Sequence, residues 1–301
     1  MRTTPRVAVG LPVFNGENYL EAAIDSVLAQ TFEDLELVVA DNGSTDRTEE
    51  IVRSAMSSDP RVRYERSPVN RGATWNYNRL VGLTDAEYFK WSAHDDLMDP
   101  GFLGRCVDEL DAAPDAVLAY PKSILIDSDG EVLDDSIVDG LDLRDIDATS
   151  RFRRYLVHPG EQHAVFGVIR RAALLRTGLI ANCWGGDQVL LAELVLKGTF
   201  NELPERMFLR RYHPESSMVA NRTPAEVARW YDPTRRGRRA LPRTRLTFEL
   251  LRAVARSSLP LRTRAALTAA VARYWVPYYG RVIGGELKAS LFDIVGRPAS
   301  S

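Results

Sequence analysis

The clearest structural signal in this 301-residue chain is the stretch AEYFKWSAHDDLMDP, residues 86–100. Residues 88–91 are short and aromatic, which is typical of a buried strand. The neighbouring carboxylates Asp95 and Asp96 follow, and two carboxylates do not sit in an apolar core without a counter-charge. The pair is therefore predicted at a strand end, where carboxylate oxygens suit a divalent cation that holds a phosphate. The alternative is that one of them caps a helix that opens near Asp99 and Pro100.

Predicted strands and helices alternate on both sides of this stretch. Short connections favour right-handed crossovers, so the prediction is an α/β fold with a mostly parallel sheet whose fourth strand is residues 88–91. Apolar strand patterns occupy residues 7–13, 35–40, 62–65, 116–126, 163–170 and 200–212, and helical patterns occupy residues 17–30, 46–57, 74–82, 100–112 and 187–197.

The second predicted strand ends on a polar loop that begins at Asp41. Asp46 and Glu49 have the spacing of a capping box, so Asp46 is predicted to start the next helix. Asp41 precedes an Asn-Gly turn and is expected to be free for a ligand. No Gly-x-Gly-x-x-Gly follows the first strand and no P-loop motif occurs, so any nucleotide is expected to be held by other means.

Composition indicates an enzyme-sized globular protein with two regions. Hydrophobic residues make up 45% of the chain, and the net charge is −2. Residues 230–301 hold about 14 Lys and Arg against 4 Asp and Glu, so a basic C-terminal region is predicted at residues 226–301. No signal peptide or run of about 20 apolar residues is present, which predicts a cytoplasmic location. Cys106 and Cys183 are too far apart in sequence to suggest a disulfide framework or a zinc site.

Four segments in this order resemble the family 2 glycosyltransferases with the GT-A fold. They are Pro12-Val13-Phe14-Asn15, the loop Asp41-Asn42-Gly43-Ser44-Thr45-Asp46, Asn70-Arg71-Gly72 with Asn78, and His94-Asp95-Asp96. The resemblance covers about the first 215 residues and implies a Rossmann-like GT-A domain at residues 1–225, followed by a mainly helical region. It also implies a nucleotide-sugar donor, Mn²⁺ or Mg²⁺, and inversion at the anomeric carbon.

The resemblance assigns roles to individual residues. Asp95 matches the last Asp of the family's Asp-x-Asp motif and is the implied metal ligand, with Asp96 and His213 beside it. The first Asp of that motif falls on Ala93, or on His94 if the motif is an adjacent pair, which leaves the ribose contact open. The implied nucleotide-binding residues are Pro12, Val13, Phe14, Asn15, Asp41, Asn42, Arg71, His94 and Asp95.

The later part of the chain supplies the other implied roles. Asp187, after Gly185 and Gly186, matches the family's catalytic carboxylate, and the alternative is that it only caps a helix. Arg210 and Arg211 match a basic segment near the diphosphate, although an exposed Arg pair is usually just solvated.

Two other functions compete with glycosyl transfer. A nucleotidyltransferase that makes the nucleotide sugar would carry a Gly-rich basic loop after the first strand, which residues 12–15 are not. An inactive glycan-binding or scaffold protein would lack carboxylates at the metal and base positions, but Asp95 and Asp187 are present.

Partners are expected to be the donor and a glycan or lipid-linked acceptor, not nucleic acid. Leu246, Leu250 and Val254 lie on one helical face, and a second apolar stretch includes Trp275. This basic region could lie on the inner face of a membrane or form a homodimer. The alternative is that it packs against the sheet domain.

Overall fold

In a computed structural model, the chain forms one sheet with helices on both faces. The structure describes residues 4–137, 140–145, 147–221, 223–234 and 241–295. Residues 235–240 and 296–301, which belong to the expected basic C-terminal region, lie outside the described residues.

The sheet of the described chain is mixed but mostly parallel in its N-terminal half. Its strands are β1 (Val7–Val13), β2 (Leu35–Asp41), β3 (Val62–Arg66), β4 (Tyr88–Trp91), β5 (Leu97–Met98), β6 (Ala116–Ile126), β7 (Val132–Asp134), β8 (Val168–Arg170) and β9 (Thr199–Arg211). Their order is β3-β2-β1-β4-β8-β6-β9-β5, with β7 paired to β6. The first four strands pair in parallel, whereas β8 is antiparallel to both of its neighbours. The predicted α/β sheet, with residues 88–91 as its fourth strand, is confirmed.

Twelve α-helices lie in the described ranges. They are α1 (Leu20–Leu28), α2 (Thr48–Ser58), α3 (Ala73–Val81), α4 (Phe102–Ala112), α5 (Ala148–Val157), α6 (Arg171–Leu174), α7 (Gly186–Val195), α8 (Ser217–Ala220), α9 (Pro224–Tyr231), α10 (Pro242–Arg256), α11 (Leu261–Ala270) and α12 (Val276–Val295). A π-helical turn, Val271–Trp275, joins the last two. The division expected after residue 225 stays a prediction, and it would fall inside α9.

Two local predictions are wrong. The strand predicted at residues 163–170 begins instead as a 3₁₀ turn, His163–Phe166, and only β8 is extended. The capping box at Asp46 does not form, because α2 begins at Thr48 and Asp46 accepts the backbone N–H groups of Glu17 and Thr48. Asp46 is structural as expected, but it joins two loops.

Side-chain alternation along the strands builds two cores. Val7, Val9 and Leu11 of β1 face the layer that contains α1 and α4. Ala8, on the opposite face of β1, belongs to the layer of α3, α5 and α7. The strands are therefore covered on both faces, and polar side chains gather where the strands end.

The C-terminal helices pack into the second of these cores. Leu246, Leu250 and Val254 of α10 are buried in the same cluster as the apolar residues of α7, and Trp275 joins them. This apolar face was a candidate for contact with a membrane or a second subunit. It packs against the sheet domain instead, which was the alternative prediction. Among the described helices, none combines the length and apolarity needed to cross a bilayer.

Replacing Leu250 by Ala tests this packing. Leu250 is 0% exposed, and truncating a buried Leu leaves a cavity, so we expect the free energy of unfolding to fall by about 3 kcal/mol. Urea unfolding followed by circular dichroism measures it. Leu261→Ala, at a position 75% exposed on the neighbouring helix, is the matched control and should change stability by less than about 0.5 kcal/mol. Equal effects of the two substitutions would contradict the packing.

Candidate active site

A cleft of about 870 Å³ opens at the carboxyl ends of β1 and β4. It gathers residues that are far apart in sequence, which is the expected place for a ligand in such a sheet. The predicted site residues that line it are Pro12, Val13, Phe14, Asn15, Asn42, His94, Asp95, Asp96, Arg210, Arg211 and His213.

The two adjacent carboxylates of this cleft are held differently. Oδ2 of Asp95 lies 2.9 Å from Nε2 of His213, whereas Oδ1 of Asp96 accepts the backbone N–H of Arg211 at 2.8 Å. Burial, and then the charge of Asp95, raise the pKa of Asp96 to about 7. Asp96 is thus bonded to the backbone of β9, whereas the Asp95 side chain remains 14% exposed in the cleft.

The residues at Asp95 fit a divalent cation that is shared with a ligand. No group of three or more His, Cys, Asp or Glu side chains in the described ranges is arranged to hold a metal by itself. Mg²⁺ in phosphate-binding sites takes only one or two carboxylates and completes its shell with phosphates and water. Two adjacent ligands with octahedral bonds of about 2.1 Å lie about 3 Å apart, which agrees with the spacing of Asp95 and His213.

Asp187 lines a second, inner cavity of about 220 Å³. This cavity shares Tyr77, Phe166, Arg210 and Trp230 with the cleft, so the two are adjoining. Burial raises the pKa of Asp187, and the nearby charge of Arg210 opposes that rise. A carboxylate with a raised pKa next to a ligand cleft is a stronger base than an exposed one, which suits it to accept a proton.

Asp187 does not cap its helix. The N-cap of α7 is Gly185, in the left-handed conformation with φ 71°, and Oδ1 of Asp187 accepts the backbone N–H of Gln188 at 2.9 Å. A Cβ at Gly186 would lie 2.0 Å from the carbonyl oxygen of Ala181. The missing side chain at Gly186 therefore allows a close approach to that loop.

Arg210 and Arg211 have different surroundings. A ring nitrogen of His163 contacts the Arg210 guanidinium, and Nδ1 of His163 lies 2.8 Å from Oγ of Ser123. Burial and the Arg210 charge lower the pKa of His163 to about 3, so the ring is neutral and can accept from Arg210. Arg211, by contrast, is buried and donates to the backbone carbonyl of Asp95. Of these two arginines, only Arg210 borders both cavities.

Comparison with known proteins agrees with this geometry. Residues 8–177 match the sequence profile of glycosyl transferase family 2. The chain belongs to this family.

Its curated relatives are similar over the N-terminal part. An uncharacterized glycosyltransferase of Rickettsia typhi is 36% identical over 126 residues, which is 41% of this chain and 38% of the relative. A chondroitin synthase of Pasteurella multocida is 30% identical over 129 residues, which is 43% of this chain and 13% of the relative. The chain thus matches well under half the length of these relatives.

Solved structures share the fold. S. aureus TarS 1–349 in complex with UDP-GlcNAc superposes with a TM-score of 0.66 at 14% identity, covering 91% of this chain and 73% of TarS. The mannosyltransferase PcManGT from Pyrobaculum calidifontis, in complex with GDP-Man and Mn²⁺, gives a TM-score of 0.52 at 17% identity, covering 99% and 89%. The predicted GT-A fold is confirmed.

Two residues that sequence analysis assigned to the nucleotide do not line the cleft. Asp41 was expected to be free, but its carboxylate is completely buried and accepts the Ser44 N–H, the Tyr64 hydroxyl at 2.7 Å and Nε of Arg66. That expectation is wrong, because these donors make Asp41 the anchor of its own loop. Arg71 is exposed, and its guanidinium stacks over Trp75 at 4.8 Å from the ring centroid.

Lys90 was not among the site residues predicted from the sequence, and it is close enough to Asp96 to feel its charge. Its side chain is 0% exposed, its ammonium donates to the carbonyl of Trp91 at 2.9 Å, and it lies over the ring of Phe102. Burial lowers its pKa from 10.5 to about 7, while the nearby Cys106 and Asp96 oppose that shift. A lysine inside an aromatic strand was the only sequence signal.

Replacing Lys90 by Met should change the pH dependence of stability. Between pH 10.5 and 7 the unfolded chain binds the lysine proton and the folded protein does not, so wild-type stability falls as the pH falls. We therefore expect the free energy of unfolding of the variant to rise relative to that of wild type as the pH falls from about 10 to 7. The relative rise should be roughly 1 kcal/mol per pH unit. Urea unfolding at a series of pH values across this window measures the difference, and Lys288→Met, at an exposed lysine, controls for the lost charge. A difference that stays constant with pH would refute this account.

Proposed function

We propose that this protein is an inverting glycosyltransferase that moves a sugar from a nucleoside-diphosphate sugar to a hydroxyl acceptor. The observation that carries the proposal is a pair of adjoining cavities, with Asp95 and Asp96 in the cleft and the half-buried Asp187 in the smaller cavity. UDP is the first choice of nucleotide and dTDP the second. The match to family 2 supports the class of reaction.

Asp95 and His213 would hold Mn²⁺ or Mg²⁺ on the donor diphosphate. Such a cation neutralises the negative charge that the leaving nucleoside diphosphate gains. Arg210 borders the same space and supplies a second positive charge. The presence of Mn²⁺ with GDP-Man in PcManGT supports the use of a divalent cation by analogy.

Asp187 would act as the general base. A hydroxyl is a poor nucleophile at neutral pH, so its proton must pass to a carboxylate as the oxygen attacks the anomeric carbon. The new carbon–oxygen bond forms as the bond to the diphosphate breaks, and the diphosphate leaves with the electron pair. Burial favours this role because it raises the pKa of Asp187.

The acceptor is proposed to be a glycan or a lipid-linked glycan of a cell-surface polysaccharide. The chondroitin synthase among the relatives supports this class. The reaction would then take place in the cytoplasm, and contact with the inner face of the membrane or with a second copy would use surfaces other than the buried face of α10.

An assay of the released product separates the competing functions. A glycosyltransferase releases a nucleoside diphosphate, a nucleotidyltransferase consumes or releases pyrophosphate, and a binding protein releases neither. Incubation with a panel of UDP, dTDP and GDP sugars, Mn²⁺ and a set of glycan acceptors should give the nucleoside diphosphate. Pyrophosphate release, or no turnover with any donor, would refute the proposal.

Replacing Asp95 by Asn tests the metal assignment. The change keeps the size of the side chain and removes the charge, so we expect the affinity for UDP in the presence of Mn²⁺ to fall about 10- to 100-fold, while the metal-free affinity stays the same. Isothermal titration calorimetry with and without Mn²⁺ measures both. Asp129→Asn, at an exposed acid in the turn after β6, is the control. Unchanged metal-dependent binding would exclude Asp95 as the ligand.

Replacing Asp187 by Asn tests the base. We expect kcat to fall about 100-fold or more with the affinity for UDP unchanged, because the proton acceptor is lost and the donor contacts are not. In the wild type, kcat should fall as the pH falls through the raised pKa of Asp187, and the variant should lose that dependence. Circular dichroism confirms folding, and NMR gives the anomeric configuration of the product. Full activity of the variant, or retained configuration, would exclude this mechanism.

A further inference from the structure

The last described helices form one long helical segment. α11, the π-helical turn and α12 follow one another without a gap over residues 261–295, and the residues at both junctions have right-handed helical backbone angles. One side of the segment packs into the core through Leu267, Val271 and Trp275, which are spaced four residues apart. The opposite side is therefore turned away from the sheet domain.

This opposite side combines apolar residues with arginines. Its exposed positions recur every three or four residues, which is the repeat of one helix face. We call six of them the outward stripe: Leu261, Arg262, Ala265, Ala269, Arg273 and Val276. Leu261 is 75% exposed and Val276 is 37% exposed. The stripe therefore presents two larger apolar side chains together with two guanidinium groups.

The positive charge around the stripe is not neutralised locally. Residues 241–288 hold eight Arg and one Lys against two Glu, in a chain whose net charge is −2. Both glutamates are engaged within the protein. Glu249 is 9% exposed, and Glu286 accepts two backbone N–H groups at the start of α10. No other acidic side chain in this range is available to pair with the outer arginines.

The stripe arginines differ from exposed arginines of the sheet domain. Arg47 and Arg53, at the start and in the middle of α2, form ion pairs of 2.8 Å with glutamates of that helix. Arg262 and Arg273 are also exposed, but no acidic side chain within the described ranges pairs with either of them. Their charge is therefore available to an anion outside the protein.

An anionic bilayer fits both features of the stripe. Basic helices with an apolar face lie in the plane of a bilayer, with apolar side chains among the headgroups and basic side chains near anionic lipids. A second copy fits less well, because a symmetric contact would bring the unpaired arginines of both copies together. A nucleic acid would use the positive charge but would leave Leu261 and Val276 without a role.

We propose that the outward stripe docks the protein on an anionic phospholipid bilayer. The helical segment lies parallel to the surface, Leu261 and Val276 enter the headgroup layer, and Arg262 and Arg273 contact lipid phosphates. Salt weakens the contact, because the arginines supply much of the attraction. Docking requires no turnover, so the inference stands or fails independently of the proposed function.

Vesicle flotation with the full chain tests the docking. One set of vesicles contains phosphatidylcholine alone, and the other contains phosphatidylcholine mixed with phosphatidylglycerol. We expect the protein to float with the mixed vesicles at low salt, to bind them more weakly at high salt, and not to float with the neutral vesicles. No binding to the mixed vesicles, or equal binding to both sets, would overturn the inference.

Charge-removing variants locate the contact. One arginine near an anionic surface strengthens binding about 5-fold, so the double variant Arg262→Gln, Arg273→Gln should bind about 25-fold more weakly. The matched control is Arg47→Gln, Arg53→Gln, which removes the same charge elsewhere and should bind like wild type. Leu261→Ala should weaken binding about 3- to 10-fold. Wild-type binding by both stripe variants, or equal losses in the two double variants, would overturn the inference.

Two further measurements distinguish other partners of the stripe. Sedimentation velocity without lipid should give the same oligomeric state for wild type and for the Arg262→Gln, Arg273→Gln variant. A wild-type dimer that this variant dissociates would assign the stripe to a second copy. Fluorescence anisotropy with a single-stranded RNA should show weaker binding than the mixed vesicles do. Tighter binding to the RNA that is lost in the variant would assign the stripe to nucleic acid, and either result would overturn the inference.

Discussion

The site depends on Arg211, a buried arginine at the end of β9. Its backbone N–H donates to Asp96, its Nε donates to the carbonyl of Asp95, and its Nη1 donates to the carbonyls of Asp127 and Ser128. A guanidinium is always charged and carries five donors in a planar fork, so it can satisfy several acceptors at once. One side chain thereby joins the carboxylate loop after β4 to the β6–β7 turn, and sequence analysis had assigned it to the diphosphate.

The three carboxylates of the site are divided between the two cavities, which have some lining residues in common. Asp95 and Asp96 lie in the cleft and Asp187 lies in the inner cavity, while Arg210 and Tyr77 border both. Tyr77 is half-buried, and desolvation together with the negative charges of these three carboxylates raises the pKa of its hydroxyl. Carboxylates in different surroundings can take different roles at one pH, one as a permanent anion and another as a proton acceptor.

The C-terminal helix α10 contacts the helix that carries Asp187. Leu246 of α10 lies against Gly185, where an added Cβ would be 3.1 Å from it. Arg256 of the same helix pairs with the buried Glu193 of α7, and Glu193 also accepts the N–H of Gly178. The helix that carries Asp187 is therefore braced along its length by α10. The positive charge of this region, interpreted from the sequence as a surface property, is partly engaged in internal contacts.

Local patterns were enough to predict the α/β class, the fourth strand with its terminal Asp pair, and Asp187 near the start of a helix. These features depend on apolar periodicity and turn residues, which act over a few neighbouring positions. They could not show that Asp41 is bonded to Tyr64 and Arg66 or that Lys90 is buried. Each of these depends on which side chains the fold brings together across the sheet. Hydrogen bonding and desolvation depend on those distant neighbours. The residue types of the site could therefore be predicted from the sequence, whereas their partners and charge states required the folded protein.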